Sequence, residues 1–155
     1  MPDYQMLSEL LGLPQVRVTQ YELRGHDEIR VTVESTVEAA VCPECQQVSF
    51  HLHELSKPQL IRDLSLWQRR SWLHYAPRRF KCATCQDTFV ERVAWREPDL
   101  DYTLRYEQAL FQRARREPIS QIAASEQLSE DQVQGIFERG AKKHSTHAAI
   151  RSSRS

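Results

Sequence analysis

The chain has 155 residues, enough for one domain of average size or two small ones. Its 21 basic and 21 acidic residues cancel, so the total charge selects no partner. No apolar stretch reaches the ~18 residues that span a bilayer. Met1-Pro2-Asp3-Tyr4 also lacks the charge and apolar run of a secretion signal, so a membrane anchor and an exported scaffold are not expected.

In chain order, Leu7, Leu10 and Leu11 fall at i, i+3 and i+4, which predicts a short amphipathic helix over 4–12, stopped by Gly12 and Pro14. Val16 and Val18, a turn signal at Gly25-His26-Asp27, then Ile29, Val31 and Val33 predict a hairpin with one buried face. Leu60–Leu66 and Ser71–Tyr75 read as short strands, and Phe89 and Val90 continue extended structure. An antiparallel sheet with a metal ribbon at one end is expected. After Pro98 the pattern becomes helical: Thr103–Arg116 ending at Pro118, then Ser120–Gln127. A fresh start follows at Ser129-Glu130-Asp131-Gln132, where Ser and Gln are spaced as a capping box. The tail from Ser145, rich in Ser and Arg, is expected to fray. The expected class is α+β: a β-rich zinc-ribbon domain over 1–97, a three-helix helix-turn-helix domain over 98–144, and a flexible tail over 145–155.

The strongest chemical signal is a pair of Cys-x-x-Cys knuckles, Cys42-Pro43-Glu44-Cys45 and Cys82-Ala83-Thr84-Cys85, which use all four cysteines. Two thiolates two residues apart reach one ion, and two such pairs complete a tetrahedral sulfur site for structural Zn2+ with no open position. The alternative is two redox dithiols, but a redox Cys-x-x-Cys motif normally opens a helix, whereas both pairs here lie among turn and strand signals. Thiols at metal spacing fit a reducing interior, so the expected location is cytoplasmic and nucleoid-associated. His51 and His53 lie near the first knuckle and are alternative ligands or ordinary strand residues.

Charge is uneven. Residues 1–41 carry seven acidic side chains against three arginines, whereas residues 56–96 carry nine basic against three acidic. Positive charge therefore gathers around the second knuckle, as a phosphate-binding surface requires, although a solvated arginine-rich face looks the same. Arg69, Arg70, Arg78, Arg79 and Lys81 are candidate DNA-backbone contacts. Trp72 and Phe80 beside them are either stacking platforms or core. In a helix-turn-helix the second helix of the pair enters the major groove, which makes Gln132, Gln134 and Arg139 candidate base readers. Glu130 and Asp131 oppose phosphate contact there, and they equally suit a helix N-terminus through its dipole. No glycine-rich phosphate loop, Ser-centred elbow or His-Glu-x-x-His helix is present, so no catalytic set is expected.

Cys42-Pro43-x-Cys45 with Ser49 and His53, Arg62-Asp63-Leu64, Arg78-Arg79-Phe80-x-Cys82-x-x-Cys85 and Phe89-x-Glu91 together resemble the zinc-binding N-terminal region of insertion-sequence transposases of the ISL-three family. Tyr102-Thr103 and the Ile122-Ala123-Ala124 hairpin resemble the helix-turn-helix that follows in those proteins, and the likeness covers about residues 6–140. The resemblance implies recognition of double-stranded DNA at the terminal inverted repeats of a mobile element. Full-length relatives continue into a nuclease domain with three metal-binding carboxylates, so this chain is expected to be a truncated transposase or a regulator without catalysis. A homodimer or a full-length transposase is an expected partner, and no small-molecule substrate is. The rival expectation is a protein–protein adaptor that binds no DNA.

Overall fold

A computed structural model describes residues 4–153. It is α+β and divides into two units, one running up to Thr103 and one starting at Leu104. The first unit opens with α1 (Gln5–Leu11), ended by Gly12 in the left-handed conformation at φ 69°. A four-stranded sheet follows, built from β1 (Val16–Arg24), β2 (Glu28–Ser35), β6 (Gln59–Leu66) and β7 (Arg69–Tyr75) in the order β1-β2-β7-β6. Alternation places Ile29, Val31 and Val33 of β2 beside Ser71, Leu73 and Tyr75 of β7 on one face. Leu11 of α1 joins that face, with Val18, Ile61 and Trp95, to make the core.

The first hairpin and the two later strands lie where the sequence predicts them, and those strands form a second hairpin, but the sheet is not purely antiparallel. β2 and β7 run parallel, with Val31 opposite Leu73. The reason is topological: each hairpin contributes its inner strand to the middle of the sheet, and the long connection between them carries the first knuckle. That connection and the segment after β7 build two further small sheets. One pairs β3 (Ala40–Val41) with β4 (Val48–Ser49); the other orders β5 (Leu52–Leu55), β8 (Arg78–Lys81) and β9 (Thr88–Val90) as β5-β8-β9.

The first unit extends past the expected boundary at residue 97. The Arg62 N–H donates to the Asp101 carbonyl at 2.7 Å, the Thr103 N–H donates to the Arg62 carbonyl at 2.9 Å, and the Thr103 hydroxyl donates to Asp63 at 2.8 Å. These bonds satisfy the fully buried Asp63 and strap residues 101–103 to β6.

The second unit holds α2 (Leu104–Ala114), α3 (Ile119–Glu126) and α4 (Glu130–Ser153). Pro118 stands at the N-cap of α3. Gln127, at φ 56°, closes that helix, with the Leu128 N–H on the Ala123 carbonyl at 3.0 Å. The capping box is present: the Ser129 hydroxyl accepts the Gln132 N–H at 3.1 Å, and Gln132 Oε1 accepts the Ser129 N–H at 2.9 Å. Tyr106, Leu110, Phe111, Ile122, Val133 and Ile136 are buried. Helix α4 continues to Ser153, beyond residue 144, because no proline or glycine interrupts the chain after Gly140. Among the described residues no helix is long and apolar enough to cross a membrane.

Candidate metal centre

Each knuckle is a tight turn closed by its own backbone. The Gln46 N–H donates to the Cys42 carbonyl and the Gln86 N–H to the Cys82 carbonyl, both at 2.9 Å. The Cys42 and Cys82 N–H groups donate to the Gln47 and Asp87 carbonyls, again at 2.9 Å. Gln46 and Gln86 occupy the left-handed region at φ 63° and 65°, where a side chain is normally disfavoured. Each offsets that cost by hydrogen bonding within its turn, through Nε2 to the Pro43 carbonyl at 3.2 Å and to the Ala83 carbonyl at 2.6 Å. The two turns are therefore one structure used twice, forty positions apart. Gln46 and Gln86 shape the two turns, which the spacing of cysteines alone does not reveal. The recurrence of Cys-x-x-Cys-Gln is the signal that finds them.

The ribbon core clamps the turns together. Phe80 is fully buried, lies 6.1 Å from Phe89, and packs with Cys42 and Cys82. The buried Ser49 hydroxyl donates to the Lys81 carbonyl and accepts the His51 N–H at 3.2 Å, tying the strand after the first knuckle to the strand before the second. All four Sγ atoms consequently lie within 4.8 Å of one another, with Cys45 and Cys82 at 3.5 Å. Sulfurs at about 2.3 Å around a tetrahedral ion stand about 3.8 Å apart, so the donor set fits zinc. Neither His51 nor His53 belongs to the convergent set, and both are exposed.

Crowding four thiols splits their proton affinities. The Cys85 backbone N–H, which lies 3.4 Å from the Cys82 sulfur, heads the causes that draw the Cys82 thiol down to about 7. The Cys85 thiol is pushed up to about 12, first by its hydrogen bond with Cys45 and then by burial. One thiolate is thus favoured without metal, and the remaining charges require a cation.

Residues 38–85 match the family model described as the zinc-finger of transposase IS204/IS1001/IS1096/IS1165. The segment is similar to a transposase zinc ribbon. Neither a curated protein nor a solved structure matches the chain. Cys42, Cys45, Cys82 and Cys85 are the structural zinc ligands of this ribbon.

The basic residues singled out by sequence have unequal fates around the ribbon. Arg69 donates to the Gly25 and Glu28 carbonyls at 3.1 and 3.2 Å, and Arg70 pairs with Asp27 at 2.7 Å, so both brace the β1–β2 turn. Arg78 is bound to the buried Glu91 carboxylate. Arg79 leans toward Glu54 at 3.6 Å and keeps about a third of its side chain exposed, and Lys81 is exposed. Trp72 stays outside the core, with the Arg62 guanidinium 4.7 Å from its ring, whereas Phe80 is core. In the helical unit Gln132 serves the cap, Gln134 bonds Glu138 at 3.0 Å, and Arg139 is ion-paired with Glu107. Of these candidates, Arg79 and Lys81 are the two cations left facing solvent at the ribbon. Sequence reasoning missed Arg92 and Arg96, which lie near Arg79 beside the ribbon.

Proposed function

We propose that this chain is a zinc-dependent DNA-recognition segment of transposase descent, which binds double-stranded DNA at the ends of a mobile element. The observation that carries this reading is the convergence of four thiols within the segment that matches the transposase zinc-finger. The metal fixes the second knuckle, and β8 enters that knuckle directly at Lys81-Cys82. Arg79 and Lys81 are thereby presented on a rigid strand, which suits phosphate contact. Helices α3 and α4 with the three-residue turn Gln127-Leu128-Ser129 have the spacing of a helix-turn-helix. The exposed Glu130 and Asp131 at its entry repel phosphates, so the ribbon supplies the sequence-independent part of the affinity and α4 contributes at base edges. No catalytic step is assigned to the chain, and metal-dependent nicking of DNA by the purified protein would overturn that assignment.

The test is a titration of the zinc-loaded chain with a random-sequence duplex pool across salt concentrations. Replacing Arg79 and Lys81 with alanine should weaken binding to all sequences and flatten the log–log salt slope by up to about 2. Unchanged affinity would remove the ribbon from the DNA surface. A second reading, an adaptor that docks a full-length transposase, is favoured by Val41, Val48 and Phe50, which stand 54, 56 and 75 % exposed around the first knuckle. Absence of duplex binding at low salt, with a co-purifying partner, would select it.

A further inference from the structure

A cavity of about 350 Å3, within the range of small-ligand clefts, is bordered by Arg79 of β8 and Val90 of β9. Arg79, Arg92 and Arg96 line it together with Gln59, Tyr75 and Asp99. Arg96 is the informative member. It is 8 % exposed, and its Nε has no hydrogen-bond partner among the described residues. Burial lowers its proton affinity, and the charges of Asp101 and Asp99 offset that only in part. A guanidinium this buried with an N–H left unbonded is costly, and an anion in the cavity would offset that cost.

The neighbouring carboxylate does not complete it. Glu91 also borders the cavity, but its oxygens already receive Arg78, Tyr75 and Ser35, at distances between 2.6 and 3.2 Å. Asp99 is the other carboxylate lining the cavity, against three guanidinium groups, of which Arg79 also leans toward Glu54 at 3.6 Å and Arg92 is exposed. Forked N–H donors from several directions match the oxygens of a tetrahedral oxyanion better than a single planar carboxylate.

We propose that this cavity is a binding site for a phosphate group, held by Arg96 from within and by Arg79 and Arg92 from its mouth. The group has two possible sources: a phosphodiester of duplex DNA, which rests on the function proposed above, or a free phosphate or phosphomonoester, which does not.

The test uses the full zinc-loaded chain with inorganic phosphate as the probe, read as the thermal midpoint against chloride at matched ionic strength. Wild type should show a saturable rise. Arg96→Met, which keeps length and removes charge, and Arg92→Ser, at the exposed rim, should each weaken the apparent phosphate affinity about ten-fold. Should Arg96→Met fail to fold or to hold zinc, Arg92→Ser carries the comparison. No phosphate-specific rise in wild type, or an equal rise in wild type and both variants, overturns the site. A fluorescent duplex forms the second arm. Loss of duplex affinity in the same variants identifies the DNA backbone as the source. Phosphate protection without any duplex binding supports the site with a free phosphate or phosphomonoester and sinks the DNA function. Equal duplex binding by all three proteins with no phosphate effect sinks the site and leaves the DNA function standing.

Discussion

Arg78 grips Glu91 with both arms of its guanidinium, Nε standing 2.8 Å from Oε1 and Nη2 2.6 Å from Oε2. The same carboxylate accepts Tyr75 Oη at 2.8 Å and Ser35 Oγ at 3.2 Å, so one residue after β9 joins β2 and β7 of the main sheet to β8 of the ribbon. The Glu91 side chain is 6 % exposed and that of Arg78 15 %, which makes this a largely desolvated, hydrogen-bonded pair. Arg78→Ala should therefore cost about 3 kcal/mol of stability by leaving Glu91 buried without its cation. Chemical denaturation checks this. A loss below ~1 kcal/mol would mean that the pair does not join the sheets.

Tyr75 provides a pH signature of the same junction. Burial, then the hydrogen bond and charge of Glu91, hold its phenol above the usual tyrosine range. The folded pKa exceeds the unfolded value of about 10, so the contribution is complete below that pH and is lost as pH rises through the folded value. In a spectrophotometric alkaline titration, Tyr75→Phe should delete a late-ionising tyrosine component. The same substitution should destabilise the protein by about 2 kcal/mol at neutral pH, the usual worth of a hydrogen bond to a charged group.

Gly140 permits the close approach of α2 and α4. A methyl group there would fall 2.5 Å from the Phe111 ring, whose ring already packs 5.5 Å from Phe137. Gly140→Ala should lower the stability of the helical unit by about 1–2 kcal/mol, overpacking outweighing the better helix propensity. Zinc content should be unchanged, and thermal melts with metal analysis on the same samples check both halves.

The paired glutamines predict a different sensitivity in the ribbon. A β-branched side chain at φ 65° is strained, so Gln86→Val should weaken zinc binding about ten-fold, because metal affinity here includes the folding of the turn. Gln86→Asn, which tolerates that conformation, should stay within about three-fold of wild type. Competition with a chelator of known affinity distinguishes the two.

What was legible in the sequence was local. The Ser129–Gln132 capping box, the first hairpin and the knuckle spacing are each set by residues a few positions apart, and each is present. The parallel pairing of β2 with β7 was not legible, since it joins residues about forty apart and depends on where the knuckle-bearing connection leads the chain. The fate of Arg78 was hidden for a related reason. Its partner is thirteen residues away and meets it only once β8 and β9 are paired. Charge patterning found the basic segment but did not separate cations that brace turns, such as Arg69 and Arg70, from those facing solvent. Arg96 draws attention only through its burial.

The most direct measurement is elemental analysis of freshly reduced, folded protein, combined with thiol alkylation before and after chelation. One zinc per chain is predicted, with Cys42, Cys45, Cys82 and Cys85 all protected until the metal is removed. A folded chain without stoichiometric metal, or with any of the four cysteines freely alkylated in its presence, would contradict the account.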